Sequence, residues 1–280
     1  MSARAKRRAG RILLNLSALV VIVCSVFPVY WMVNTSLLPA SAVRTPTPHL
    51  WPDQLTLGNY VTAMNDDGFL TALGVSLAVT LITVATALVF AFLAAVALSR
   101  FRFRSRKALI VAILVVQMIP AESLIISTFR VLDGWALVNT VAGLSLVYIA
   151  IVLPFTIWTL RGFVGGVPAE LEEAAMIDGC SRGGAFWRIT FPLLAPGLVA
   201  TGVFAFIQAW NEFVYALVIM TRPEMQTLPI WLRSFVQATK ATDWSVVMAA
   251  STLMAIPVIV FFLFVQHRMT SGLVSGAVKG

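Results

Sequence analysis

The residues with the most chemistry to offer sit where polar groups are costly. Gln208, Trp210, Asn211 and Glu212 fall close together inside one long apolar run, and Gln117 and Glu122 flank Pro120 in another. Amides and carboxylates bond hydroxyl groups, and an aromatic face covers the apolar side of a ring. Asn211, Glu212 and Trp210 therefore have the chemistry of a site for a polyhydroxylated solute. A structural alternative stands beside it: Glu212 pairs within a helix bundle and Asn211 bonds a neighbouring helix, because an unpaired polar group in hydrocarbon is expensive. Gln117 and Glu122 face the same choice, between a cavity opened by a kink at Pro120 and a kink that is structural only. Phosphoryl and covalent chemistry lack their residues. The four lysines, Lys6, Lys107, Lys240 and Lys279, neither follow a glycine nor precede Ser or Thr, so no phosphate-cradling loop with its terminal Lys-Ser/Thr is present. His49 and His267 are isolated, and Cys24 and Cys180 give neither a disulfide framework nor metal-ligand spacing. No catalytic residue and no metal ligand is assigned.

The elements that must position these groups are set by composition. Hydrophobic residues make up 59% of the 280 and charged residues 11%, with a mean hydropathy of +0.91. A soluble domain carries about 25% charged residues, so this much apolar surface needs lipid as its solvent. A bilayer core takes about 20 apolar residues of helix, and six stretches qualify: 12–33, 72–98, 108–128, 141–160, 197–220 and 245–265. The first follows a basic segment as a signal peptide would, but its apolar run is too long and Pro28-Val29-Tyr30-Trp31 offers no small-residue cleavage site. It reads as a retained span, with Tyr30 and Trp31 at the outer interface. The expected fold is an all-α integral membrane protein of six transmembrane helices. Residues 1–11 form a basic tail, 12–280 a single membrane domain, and 266–280 a C-terminal tail. Small residues at Gly74, Ala78, Thr83 and Ala87 suit close helix contact, and Met118 reads as packing.

Orientation follows from Lys and Arg. With the N-terminus inside, 15 basic residues face the cytoplasm and five, Arg44, Arg130, Arg222, Arg233 and Lys240, face outward. That bias places both termini in the cytoplasm. It also explains the net charge of +8 by the inner leaflet rather than by nucleic acid.

One connection is unusual. Loops between spans are mostly short, whereas 161–196 is long and mixed in charge, reading VPAELEEAAMIDGCSRGGAFWRITFPLLAPG from Val167. Pro168 suits the first helical position, and Glu170, Glu172 and Glu173 suit the first turns of a helix. Ala174, Ala175 and Ile177 continue it and Gly179 ends it. A second short segment, 184–190, is expected to stop before Pro192. The paired alanines would let the first helix approach a groove on another protein.

The spacing Glu173-Ala174-Ala175, Gly179, Ile189, Pro192 resembles the signature loop of binding-protein-dependent importer permeases of the ATP-binding-cassette (ABC) class. Phe191 stands where that pattern has Leu. SRFRFRSR at 99–106, AWNEF at 209–213 and GLVSGAVKG at 272–280 look like the maltose-type carbohydrate permeases, so the resemblance covers nearly the whole chain.

The resemblance implies that the 161–196 loop, between spans four and five, carries a coupling helix that docks on a cytoplasmic ATPase subunit. Glu173, Ala174, Ala175, Asp178, Gly179, Ile189 and Pro192 would form or shape that contact, with a secondary contact from Gly276–Gly280. It implies a homologous permease partner, two ATPase subunits that bind the ATP and Mg, an extracytoplasmic substrate-binding protein, and a bacterial-type inner membrane. No cofactor belongs to this chain. Carbohydrate, as a disaccharide or short oligosaccharide, is the implied substrate class, with glycerol-phosphate-type polyols also within the subfamily. Two rivals remain from the residues alone. An ion-coupled secondary transporter would use Glu122 or Glu212 but gives no reason for the alanine-rich, glycine-stopped loop helix. A membrane enzyme would need a clustered catalytic set.

Overall fold

The computed structural model describes residues 3–236 and 241–277, with side chains for 11–236 and 241–266. Among these residues the chain is helical, without strands. In order it forms α1 (Ala3–Ser36), α2 (Ala40–Val43), α3 (Gly58–Met64), α4 (Phe69–Arg100), α5 (Arg106–Gln117), a 3-10 turn (Ala121–Leu124) and α6 (Ile125–Gly134). There follow α7 (Val141–Gly166), α8 (Glu170–Ile177), α9 (Arg182–Ala185), a π-turn (Phe186–Thr190), α10 (Phe191–Asn211), α11 (Val214–Ile219), α12 (Leu228–Ser234) and α13 (Trp244–Ala277). Among the described residues five helical segments are long and apolar enough to cross a membrane, Arg11–Ser36, Phe69–Arg100, Val141–Gly166, Arg182–Asn211 and Trp244–Gln266, and a sixth span is reached if a bent pair counts as one.

The third expected span differs. Residues 108–128 are not one kinked helix: Arg106–Gln117 and Ala121–Gly134 meet at 88°. Pro120, with ψ at 120°, cannot continue α5, and the chain restarts at Ala121. At Pro192 the outcome is the reverse. The helix expected to stop there runs from Arg182 through the π-turn into α10. A wider turn just before a proline relieves the clash of its ring with the carbonyl four residues back. The fifth span ends at Asn211, short of the expected 220. The first and last expected spans agree with Arg11–Ser36 and Trp244–Gln266, while the helices that carry them extend further, from Ala3 within the expected tail and on to Ala277. The side chains of Arg4, Lys6, Arg7, Arg8, His267, Arg268 and Lys279, Lys240 itself, and the secondary contact expected at 276–280 lie outside what is described.

The chain divides into two compact units, Met1–Asp67 with Leu232–Ile256, and Gly68–Trp231 with Pro257–Gly280. In the first unit the connection after α1 is stapled to itself. Asn59 donates from Nδ2 to the carbonyls of Ser36 (2.8 Å) and Leu38 (2.9 Å), satisfying groups that the end of α1 leaves open. Asn34 donates to the His49 carbonyl at 2.8 Å, and Tyr30 donates through its hydroxyl to the Leu50 carbonyl. The apolar stretch of α1 is exposed throughout, from Ile12 to Val29.

In the second unit α4 packs along α7 and α10 through a stripe of small buried residues. Ser76, Thr80, Thr83, Ala87, Ala91 and Ala95 recur at three- and four-residue intervals, and Ala91 and Ala95 lie against Leu160, Val164 and Leu194. Thr83 and Ala87 thus sit in the seam as expected, whereas Gly74 is exposed and Ala78 half-buried. At Gly197 of α10 a Cβ would strike the ring of Phe163 on α7, so only glycine permits that approach.

Candidate functional site

Two regions of the second unit gather the residues singled out by sequence. The first is the loop between α7 and α10. Ala169 is the N-cap of α8, so Pro168 lies two positions further out than expected, and no side chain caps the start of this helix. Glu170, Glu172 and Glu173 fill its first turn, where carboxylates complement the helix dipole. The end is sharply made. Gly179 has φ +93°, its N–H donates to the Met176 carbonyl (3.1 Å), and the Cys180 N–H donates to Ala175 (3.0 Å). This paired pattern is the glycine stop of a helix terminating in the left-handed region.

The two alanines part company. Ala174 is exposed, while Ala175 is buried at 9% and faces its own chain. Glu173, Asp178 and Gly179 are exposed with Ala174, Ile189 is half-buried, and Pro192 is exposed at the start of α10. Sequence reasoning passed over two features here. Ile177 is 86% exposed, with Leu171 and Met176 also outward. A single exposed apolar side chain means little, but these are three large ones on one eight-residue helix, spread around it at helical spacing. Glu172 turns the other way, accepting from Thr190 Oγ1 at 2.6 Å and pairing with Arg100 at 3.1 Å. No local spacing signals this pair, because Arg100 lies at the far end of another helix.

The second region is where α10 breaks. A cavity of about 320 Å³ is lined by Glu122, Tyr148, Gln208, Asn211, Glu212 and Tyr215, among others. A larger one of about 820 Å³ is lined by Gln117, Ser127, Thr128, Trp135, Phe155 and Gln208, and is mainly apolar. The two share Ala121, Ile151, Val152, Gln208 and Tyr215, so the 88° break between α5 and α6 opens onto the same space as the end of α10. Asn211, Glu122, Gln117 and Gln208 are exposed there. Asn211 donates back to the Ile207 carbonyl at 2.8 Å.

Glu212 is engaged rather than open. Its carboxylate accepts from Tyr148 Oη (2.7 Å), the Tyr215 N–H (2.8 Å) and the Ala216 N–H (3.1 Å), and so caps α11 with a charged acceptor. Trp210 does not line the cavity. It is buried at 1% and stacks on Phe206, which stacks on Phe261. One turn of helix carries both residues, but Trp210 falls on the packed face and Asn211 on the open one. Met118, expected to pack, is 81% exposed at the α5 break.

Bundled helices with large exposed apolar surfaces, a broken span opening on a polar-rimmed cavity, and a capped helix protruding from one loop define a membrane permease. The chain belongs to the family described as binding-protein-dependent transport system inner membrane component, which it matches over residues 87–273. It is 44% identical, over 97% of its length and 98% of the relative's, to the diacetylchitobiose uptake system permease protein of Streptomyces coelicolor. It is 34% identical, over 96% and 97%, to the trehalose/maltose transport system permease protein of Thermococcus litoralis. Its fold matches a chain in the crystal structure of a bacterial ABC transporter involved in importing the acidic polysaccharide alginate. That match has a TM-score of 0.78 and covers 95% of this chain and 98% of the other at 22% identity. The chain is a multi-pass inner-membrane permease of the ABC importer class.

Proposed function

We propose that this chain is one permease half of an ATP-driven carbohydrate importer, with both termini in the cytoplasm and α8 as its contact with a cytoplasmic ATPase subunit. The carrying observation is α8 itself. Its outer surface, Leu171, Glu173, Ala174, Met176 and Ile177, is exposed on a helix held from behind by Glu172 and Ala175. Large apolar side chains left exposed around a short loop helix call for a protein cover. Ala174 lets a groove approach closely, and the carboxylates beside it set orientation and specificity. A homologous permease would complete the pathway, two ATPase subunits would bind ATP and Mg, and an extracytoplasmic binding protein would deliver substrate. This chain needs no cofactor of its own. Transport would proceed by alternating access, driven by differential binding to the two states.

The relatives named for diacetylchitobiose and for trehalose/maltose support a disaccharide or short oligosaccharide as substrate. Gln208, Asn211, Gln117 and Glu122 around the joined cavities are the groups of this chain placed to bond hydroxyls. Of the two carboxylates the ion-coupled alternative could use, Glu212 is committed to three donors. Glu122 is open to the cavity, but that alternative gives no reason for α8, and membership of the binding-protein-dependent family favours ATP-driven import. The test is reconstitution with the partner permease, ATPase subunits and binding protein, and measurement of ATP hydrolysis across a panel of sugars. Stimulation by one class of short saccharide is expected. Ala174→Arg should release the ATPase subunits from the purified complex while the chain still reaches the membrane. Retention of those subunits in normal amount would remove α8 as the docking element.

A further inference from the structure

Arg100 ends α4 and by charge alone is one of five basic residues in a tight turn. Its surroundings set it apart. Arg102, Arg104 and Lys107 are exposed, whereas the Arg100 side chain is only 17% exposed. Its Nη2 donates to the Val167 carbonyl at 3.1 Å and lies 3.1 Å from Oε1 of Glu172, itself 16% exposed. That same Oε1 accepts from Thr190 Oγ1 at 2.6 Å. One guanidinium nitrogen and one carboxylate oxygen thus join four segments: the end of α4, the residue after α7, α8, and the π-turn that feeds α10.

Isolation makes this joint consequential. A helix of eight residues is far too short to hold its own conformation in water, and α8 has no side-chain cap at its start. The bonds of Glu172 and the buried Ala175 set its place. Breaking a largely shielded charge pair leaves the remaining charge without its partner, and a guanidinium holds two acceptors in fixed directions where an ammonium does not. The helix fed by the π-turn continues to Asn211, at the cavity.

We infer that Arg100 is a positioning residue for coupling: through Glu172 and Thr190 it locks α8 to α4 and to the start of α10, so that a displacement of α8 moves α10 instead of being lost in the loop. The inference rests on the reading of α8 as the docking element. Its test uses the complete complex in proteoliposomes and reads sugar taken up per ATP hydrolysed. Arg100→Gln and Glu172→Gln should keep their ATPase subunits and continue to hydrolyse ATP, while uptake per ATP falls by about tenfold, within the usual range for coupling between sites. Arg100→Glu combined with Glu172→Arg should recover part of that loss, which a merely weakened fold would not do. Should Arg100→Gln fail to reach the membrane, the near-isosteric Glu172→Gln carries the test. Uptake per ATP unchanged in either variant overturns the inference and leaves the docking reading intact. So does loss of ATPase subunits from Arg100→Gln to the extent seen in Ala174→Arg, since Arg100 would then serve docking and not transmission. Retention of ATPase subunits by Ala174→Arg removes the docking reading instead.

Discussion

Gly179 sits at φ +93° with nothing within 4 Å of where a Cβ would stand, so backbone strain rather than crowding limits what can replace it. A side chain in the left-handed region costs about 1–2 kcal/mol, with Asn the least penalised after Gly. Uptake at matched membrane levels should therefore fall in the order Gly, Asn, Ala, Val. An Asn variant as defective as Val would point to steric contact with a partner instead. Glu212 makes a contrasting case. Glu212→Ala removes the acceptor for three donors, and hydrogen bonds to charged groups contribute about 1.5–3 kcal/mol each. A lower melting temperature in detergent is expected, with sugar preference unaltered. Asn211→Ala and Gln208→Ala, both exposed at the cavity, should change the sugar concentration dependence with little effect on melting. If Glu212→Ala instead shifts sugar preference at unchanged melting temperature, its carboxylate belongs to the pathway. The glycine stop was legible because positive φ selects glycine by itself. The role of Glu212 was not, because Tyr148 lies 64 positions away and the two N–H groups are available only because a new helix begins there.

At the scale of elements, two prolines had opposite consequences that hydropathy could not separate. Pro120 ends α5 in an 88° break, whereas Pro192 is absorbed by a π-turn whose Phe186 and Trp187, with Phe191, pack as an aromatic cluster with Phe92 of α4. Proline removes one donor in either place; neighbouring packing decides whether the helix survives. Long apolar runs gave the spans directly, since lipid leaves a helix few alternatives. Which face of each helix turned inward was less plain. The small residues of α4 mark its seam only when the stripe is followed onward from Thr83 to Ala95, and Gly74 falls off it. Ala91→Leu would force a larger side chain between α4 and the Leu160 and Leu194 side chains, at about 1–3 kcal/mol for overpacking. Gly74→Ala adds a methyl to open space and should be silent. Thermal unfolding of the detergent-solubilised chain distinguishes them, and equal effects would mean the α4 seam is misassigned.

For the whole molecule the open question is sidedness, and the two native cysteines suffice to ask it. Both are free. Cys24 is exposed midway along the apolar stretch of α1, and Cys180 follows the glycine stop of α8, outside the long apolar helices. The proposed orientation, with 15 of 20 basic residues on the cytoplasmic side as the positive-inside bias suggests, would put Cys180 in the cytoplasm and Cys24 within hydrocarbon. A membrane-impermeant maleimide should then leave intact cells unlabelled at both positions. In inside-out vesicles it should label Cys180 alone, whereas a permeant, apolar maleimide should reach Cys24 from either preparation. Labelling of Cys180 should slow when ATPase subunits are bound, because the surface beside it would be covered, and recover when they are stripped. Labelling of Cys180 from outside intact cells would invert the topology, place α8 where no ATP is available, and remove the importer mechanism together with the orientation on which it depends.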